Sequence, residues 1–313
     1  MVRNIRPPPK QIKEQNFFFK LSKFEKPLLD YIEANPNFIL PAIRKNEIVN
    51  VIKGGLRDVS VSRSGFDWGI PLPIQPDHVV YVWFDALINY LTLIDFANES
   101  ADYKKWWPAQ FHIIGKDITR FHCVIWPAML MSAGLPLPES VFGHGFVYLQ
   151  GEKMSKSLGN VVTPLDVIDQ YGSDSLRYYL MRTSSFGDDG NFTWDDFINK
   201  YNSDLANGFG NLVSRTYGMI KRYFKGQMAL SDLSGKDAEL ANQFQTRHAE
   251  MSRLLNPKET GDIQFHRAIE NVLAWLSECD RYIDQEQPWV LAKQDDKTRL
   301  QEVLTTVVKT IFG

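Results

Sequence analysis

"FHIIGKDITRFHCVIWPAMLMSAG" runs from Phe111 to Gly134. Its first five residues form a short apolar run with strand character. Gly115, Lys116 and Asp117 then interrupt the run with a flexible residue and a helix-capping type. A segment of helical length follows and stops at Gly134. Strand, tight turn and helix in one stretch is the unit from which parallel sheets are built. The neighbours extend the pattern. "HVVYVWF" (78–84) reads as a strand before it, "DALINYLTLIDFA" (85–97) as the connecting helix, and "VFGHGFVYL" (141–149) as a strand after it. Upstream, residues 1–50 read as an extended, proline-rich entry and then short helices. After about residue 165 the strands are expected to stop. Helical patterns cover 165–183, 194–225, 236–255, 262–286 and 296–312. In the fourth, Ile269, Val272, Leu273, Leu276 and Ile283 recur at helical spacing and make one apolar stripe. The expected fold class is an α/β layer with a small, mainly parallel sheet, followed by an all-α antiparallel helix bundle.

Composition bounds the function. A chain of 313 residues suffices for a sizeable core and two domains. The net charge of −2 gives no global basic field, so any nucleic-acid surface has to be local. Between Lys200 and Lys225 there is such a local excess: Lys200, Arg215, Lys221, Arg222 and Lys225 against Asp204 alone. Two cysteines, Cys123 and Cys279, exclude a disulfide framework and leave no zinc site, which suits a reducing cytosol. No signal peptide and no membrane-length apolar run is present, so a cytoplasmic protein without a membrane partner is expected.

One further segment carries chemistry. "GEKMSKSLGN" (151–160) places Lys153 and Lys156 three residues apart among Ser155, Ser157 and flanking glycines. The lysines can neutralise a polyanion and the hydroxyls can donate to phosphate oxygens. On residue types alone this is a solvated surface loop. Its position beyond a parallel sheet makes it a better phosphate site, because ligands collect at the carboxyl ends of such strands.

These segments together resemble the methionyl-tRNA synthetases, a family of class I aminoacyl-tRNA synthetases. "KMSKS" (153–157) matches the second signature of that class. "YVWFDALINY" (81–90), the 111–134 stretch, "HGFVYLQGEKMSKSLGNVV" (144–162), "GLRDVSVSR" (55–63), "NLVSR" (211–215) and "EQPWVLAK" (286–293) match in order. The likeness runs from about residue 15 to the end. It implies the second half of a Rossmann-type catalytic domain and an anticodon-binding bundle. The implied divisions are 1–50 as the tail of a connective insertion, 51–165 as the catalytic half with the lysine loop, 166–195 as a helical link, and 196–313 as a truncated anticodon-binding bundle.

The resemblance also implies roles. Lys156 holds the ATP phosphates and stabilises the charge that develops as pyrophosphate leaves, with Lys153 and Ser155 in support. Gly115, Lys116 and Asp117 meet the adenosine and the substrate's α-amino end. Arg63 lies near the reacting phosphate, and Asp85 assists positioning. Trp83, Ala86, Leu87, Tyr90, Ile118 and His122 surround the methionine side chain. Asn211, Arg215 and Trp289 read a CAU anticodon. On residue types alone the aromatic stripe reads as core, Asp117 as a helix cap and His122 as a satisfied buried histidine, while Trp289 reads equally as a buried bundle anchor or as an exposed indole that stacks a base beside Asn211 and Arg215.

The implied activity is methionine–tRNA ligation: ATP and L-methionine form methionyl-adenylate, and the methionyl group passes to tRNA(Met). Magnesium accompanies the triphosphate. Two family features are absent from the sequence, a His-x-Gly-His turn and the zinc-binding cysteines of the insertion. An internal piece of the enzyme is therefore expected: either a fragment, or a chain whose missing N-terminal half a partner supplies. The alternative is a non-catalytic tRNA- or RNA-binding module, or one half of a split synthetase.

Overall fold

The computed structural model describes residues 14–65, 68–154, 162–295 and 297–312. The chain divides into two compact units, Met1–Gly143 and His144–Gly313.

In the first unit a three-stranded sheet has the order Ile39–Leu40, Ser140–His144, Phe111–Gly115, and the first two strands are parallel. Phe38, Ile39, Val141, Phe142, Val124 and Trp126 are almost wholly buried around it. The helix after Phe111–Gly115 begins with a 3₁₀ turn, Lys116–Ile118. It passes through a π turn at Phe121–Ile125 and continues as Trp126–Ala133. Gly134 ends it at φ 70, its N–H bonding back to Leu130 and Met131, and Leu135 N–H also returns to Leu130. This is the left-handed closure that glycine allows.

The strand expected over 78–84 is corrected in two ways. It is Gln75–Val80, and it joins a separate antiparallel sheet between Ser62–Ser64 and Pro71–Leu72. The link from Leu72 to Gln75 is too short for a parallel crossover, which needs a dozen or more residues. The chain then turns at Tyr81 into the helix Val82–Thr92, so Val82, Trp83 and Phe84 are helical.

"VFGHGFVYL" also splits. Ser140–His144 ends in the first sheet, while Val147–Leu149 lies between Glu152–Lys153 and Gly190–Phe192 in another. Gly145 makes the break. A Cβ there would stand 1.9 Å from the Asp188 carbonyl oxygen, so only glycine admits that backbone approach.

The second unit contains a strand past residue 165, contrary to the sequence reading. Gly190–Phe192 pairs in parallel with Val147–Leu149. Phe192 is buried in one core with Val167, Tyr179 and Phe197. The expected helix over 165–183 is broken at Gly172 (φ 81) into Pro164–Tyr171 and Ser173–Arg182. The pattern over 194–225 is one helical run: Trp194–Lys200, a π segment Tyr201–Gly210, then Asn211–Phe224. Gly235–Leu255, Phe265–Glu286 and Thr298–Phe312 complete the bundle around Leu212, Cys279, Ile283, Leu300, Val303 and Leu304. Of the predicted stripe, Ile283 is fully buried. Ile269, Val272, Leu273 and Leu276 instead line an open apolar groove of about 530 Å³.

Candidate functional site

The first unit carries an aromatic and histidine cluster. His122 sits on the π turn, buried, with Nδ1 3.1 Å from the Ile118 carbonyl oxygen. A carbonyl only accepts, so Nδ1 holds the proton and Nε2 is an acceptor. Tyr90 Oη lies 2.7 Å from that Nε2 and donates to it. Burial lowers the His122 pKa, against the Ile118 bond, and raises that of Tyr90. Both groups are therefore neutral near pH 7.

His112 packs on the Tyr90 ring with centroids 4.2 Å apart and accepts at Nε2 from the Trp126 indole at 3.3 Å. Burial, and then the proximity of His122, take its pKa down to about 4. The cluster is thus polarizable, uncharged and fixed in its proton positions. His112, Trp126 and Phe121 were missed in the sequence. Burial alternates along Phe111–Gly115 and points His112 and Ile114 inward, but the residues themselves show no matching alternation of apolar and polar types, so no sequence signal finds His112.

Other residues of the helix Val82–Thr92 take different places. Trp83 is half exposed and stacks on Phe121 at 5.2 Å. Together with Arg63, Tyr81 and Arg120 they line a cleft of about 390 Å³. Tyr90 and His112 line a neighbouring cleft of about 340 Å³ with Trp107 and Ile113. Ala86 is exposed, and Leu87 faces the core with 4% of its surface accessible. The structure therefore brings Tyr90, Ile118 and His122 together, sets Trp83 beside Arg63, and holds Leu87 on the inner side of the helix.

Arg63 lies with its guanidinium 4.0 Å from the Tyr81 ring centroid and donates to Ser60 Oγ at 3.1 Å. It also lines a cleft with Trp68, Tyr81 and Asp85. Gly115 closes the strand at the turn. A Cβ there would stand 2.7 Å from Asp117 Oδ1, so the carboxylate folds over the glycine. Asp117 is exposed and does not cap the helix, since no side chain caps this 3₁₀ turn.

In the second unit Lys153 ends the strand Glu152–Lys153, paired with Val147–Leu149. Ser155 and Lys156 lie outside the described residues. Asn211 opens the regular helix directly after the π segment and is exposed. Arg215, one turn on, has its guanidinium 5.3 Å from the Trp289 ring centroid. Arg215 Nη2 also meets Asp284 at 2.7 Å, and Nη1 lies 4.0 Å from Asp280. Gln287, in the left-handed region at φ 48, ends the long helix and turns Pro288–Leu291 so that Trp289 is 40% exposed. Burial raises the Asp280 pKa, outweighing the pull of Arg215. Asp280 and Asp284, spaced i and i+4, were not singled out in the sequence.

Among the described residues no group of three or more His, Cys, Asp or Glu is placed to hold a metal ion, and no helix is long and apolar enough to cross a membrane.

Comparison with known proteins adds a family. Residues 4–217 match the family model described as tRNA synthetases class I (M). A methionine–tRNA ligase of Caldanaerobacter subterraneus subsp. tengcongensis is 46% identical over 307 residues, 97% of this chain and 47% of that protein. One from Rhizobium meliloti is 45% identical, covering 97% of this chain and 58% of its own length. Among solved structures, Mycobacterium tuberculosis methionyl-tRNA synthetase in complex with methionyl-adenylate superposes with a TM-score of 0.86 at 41% identity. That match covers 95% of this chain and 58% of that one. The chain spans about half the length of the curated relatives it matches.

Proposed function

The chain belongs to the class I tRNA synthetases (M), and from that premise we propose that it carries the methionine pocket, part of the ATP site and the anticodon-reading face of a methionine–tRNA ligase. The observation that carries the reading is the relay from Tyr90 through His122 to the Ile118 carbonyl within a neutral aromatic cluster. A thioether is apolar, polarizable and favours aromatic contacts. A charged pocket would waste its desolvation on such a side chain, whereas uncharged rings with fixed protons suit it. Trp83 and Ala86 form the outer wall, Ile118 the inner one, and Leu87 supports the helix from the core side.

In this reading the turn Gly115–Lys116–Asp117, at the carboxyl end of its strand, takes the adenosine and the α-amino group. Arg63 faces the reacting phosphate. Lys153, Ser155 and Lys156 close over the triphosphate, and magnesium arrives with the nucleotide. In-line attack of the methionine carboxylate on the α-phosphate forms methionyl-adenylate and releases pyrophosphate. Positioning and charge stabilisation do the chemistry, without a covalent enzyme intermediate. Asn211, Arg215 and Trp289 then read the CAU anticodon of tRNA(Met) by edge hydrogen bonds and stacking. The reaction belongs in the cytoplasm, where the buried thiols of Cys123 and Cys279 stay reduced.

A second reading, an RNA-binding module without catalysis, is supported by one observation: the contact of Arg215 with the Trp289 ring, a base-stacking arrangement that needs no catalytic site. Methionine-dependent ATP–pyrophosphate exchange separates the two. We expect negligible exchange from the chain alone and exchange on addition of a polypeptide bearing that turn. In the active mixture Lys156→Ala lowers turnover far more than methionine affinity, because its contact strengthens as charge develops on the leaving group. Lys153→Ala has the smaller effect. No exchange in any mixture of folded parts favours the module. Loss of methionine affinity with unchanged turnover in Lys156→Ala contradicts the assigned role.

A further inference from the structure

Gly218 stands in the middle of the helix Asn211–Phe224, and a Cβ built there meets nothing within 4 Å. Its backbone is ordinary helix, so neither conformation nor internal packing requires a glycine. A glycine in mid-helix weakens the helix relative to alanine. Nothing in the described fold gives a reason for a glycine at this position.

At 3.6 residues per turn, Tyr217, Lys221, Ser214, Gly218, Arg222 and Arg215 fall on a single arc of about 160°. Leu212, Thr216 and Met219 are buried on the other side. The helix contains no Asp or Glu. Tyr217 is 61% exposed and has no hydrogen-bond or ring partner among the described residues. Lys221, Arg222 and Lys225 have no carboxylate partner among them either. Elsewhere in this unit Arg182, Arg247, Arg253 and Arg299 are ion-paired, and Arg177, Arg267 and Arg281 have no carboxylate at ion-pair distance among the described residues. The helix dipole accounts for cations at this end. It does not account for an exposed tyrosine beside an unneeded glycine.

We infer that this face binds single-stranded RNA beyond the bases met by Arg215 and Trp289. The sugar–phosphate chain crosses Gly218, Lys221 and Arg222 neutralise phosphates, and Tyr217 stacks a loop base outside the anticodon. A basic track with an interleaved aromatic is the arrangement that single strands take. The inference rests on the anticodon reading above and extends its footprint along the same helix.

The test uses the 313-residue chain and a stem-loop RNA with a CAU loop, followed by fluorescence anisotropy at fixed salt. Gly218→Leu weakens binding by roughly ten-fold or more while the melting temperature stays level or rises, since leucine is the better helix former. Tyr217→Ala weakens it by about ten-fold, and Tyr217→Phe restores it. Lys221→Gln with Arg222→Gln lowers the slope of log K against log salt by about 1–2. Trp289→Ala marks the anticodon site. If Trp289→Ala weakens binding and the Gly218 and Tyr217 variants do not, the inference is overturned and the anticodon reading stands. If those variants matter and Trp289→Ala does not, the helix face stands and the anticodon reading falls. A folded chain that does not bind the stem-loop overturns both.

Discussion

Tyr90 donates to an imidazole whose other nitrogen is already committed to a backbone carbonyl, and that single proton arrangement defines the cluster. The sequence carried Tyr90, Ile118 and His122 as candidates only through family likeness, because residue type alone reads them as core. It did not carry His112, whose importance comes from a ring contact across the fold. The two buried histidines also set a pH dependence. A histidine whose pKa is depressed on folding stabilises the fold above its unfolded value near 6.5, and that stability is lost as pH falls through the folded value. For His112 the window runs from about 6.5 down to about 4, with a cost on the order of 3 kcal/mol by its lower end. His112→Phe keeps a ring against Tyr90 and removes the titration. Its urea midpoint, followed by near-ultraviolet circular dichroism, is expected to start lower, because Trp126 loses its acceptor. It is then expected to fall less between pH 6.5 and 4 than that of the parent. An equal fall in both proteins means that His112 does not bring this dependence.

The long helices were legible at the scale of the element, because apolar residues at a 3.6 period leave a strong mark over fifteen or more residues. The short strands were not. Gly190–Phe192 is three residues long, and its strand state comes from pairing with Val147–Leu149, about forty residues back, while Phe192 fills a core with Val167, Tyr179 and Phe197. The end of Ser140–His144 was likewise hidden, because its cause is the approach of Asp188 to Gly145. That cause makes a prediction. A methyl group at position 145 has nowhere to go except against backbone, so Gly145→Ala forces two segments of the second unit apart. The expected destabilisation is about 3 kcal/mol, at the upper end for overpacking. Gly218→Ala in the same unit is expected to be neutral or stabilising. Thermal unfolding of the two variants side by side checks this, and equal stabilities contradict the packing argument.

For the whole molecule, sequence reasoning gave the class, an α/β layer before a helix bundle, and the family. The antiparallel hairpin Pro71–Val80 lay beyond it, since a strand's direction depends on its partner and not on its own residues. The anticodon candidates show the same limit from the other side. Arg215 and Trp289 are far apart in sequence, and only the packing of Asn211–Phe224 beside the end of Phe265–Glu286 brings guanidinium to indole. The methionine pocket can be probed by titration calorimetry of the purified chain with L-methionine. Saturable binding at one site is expected. Norleucine, which puts a methylene in place of sulfur, is expected to bind more weakly, and Tyr90→Phe, which strands the His122 acceptor, to lose roughly ten-fold. A folded chain that does not bind methionine, or that binds it equally well after Tyr90→Phe and His122→Ala, means that this cluster is not a methionine pocket.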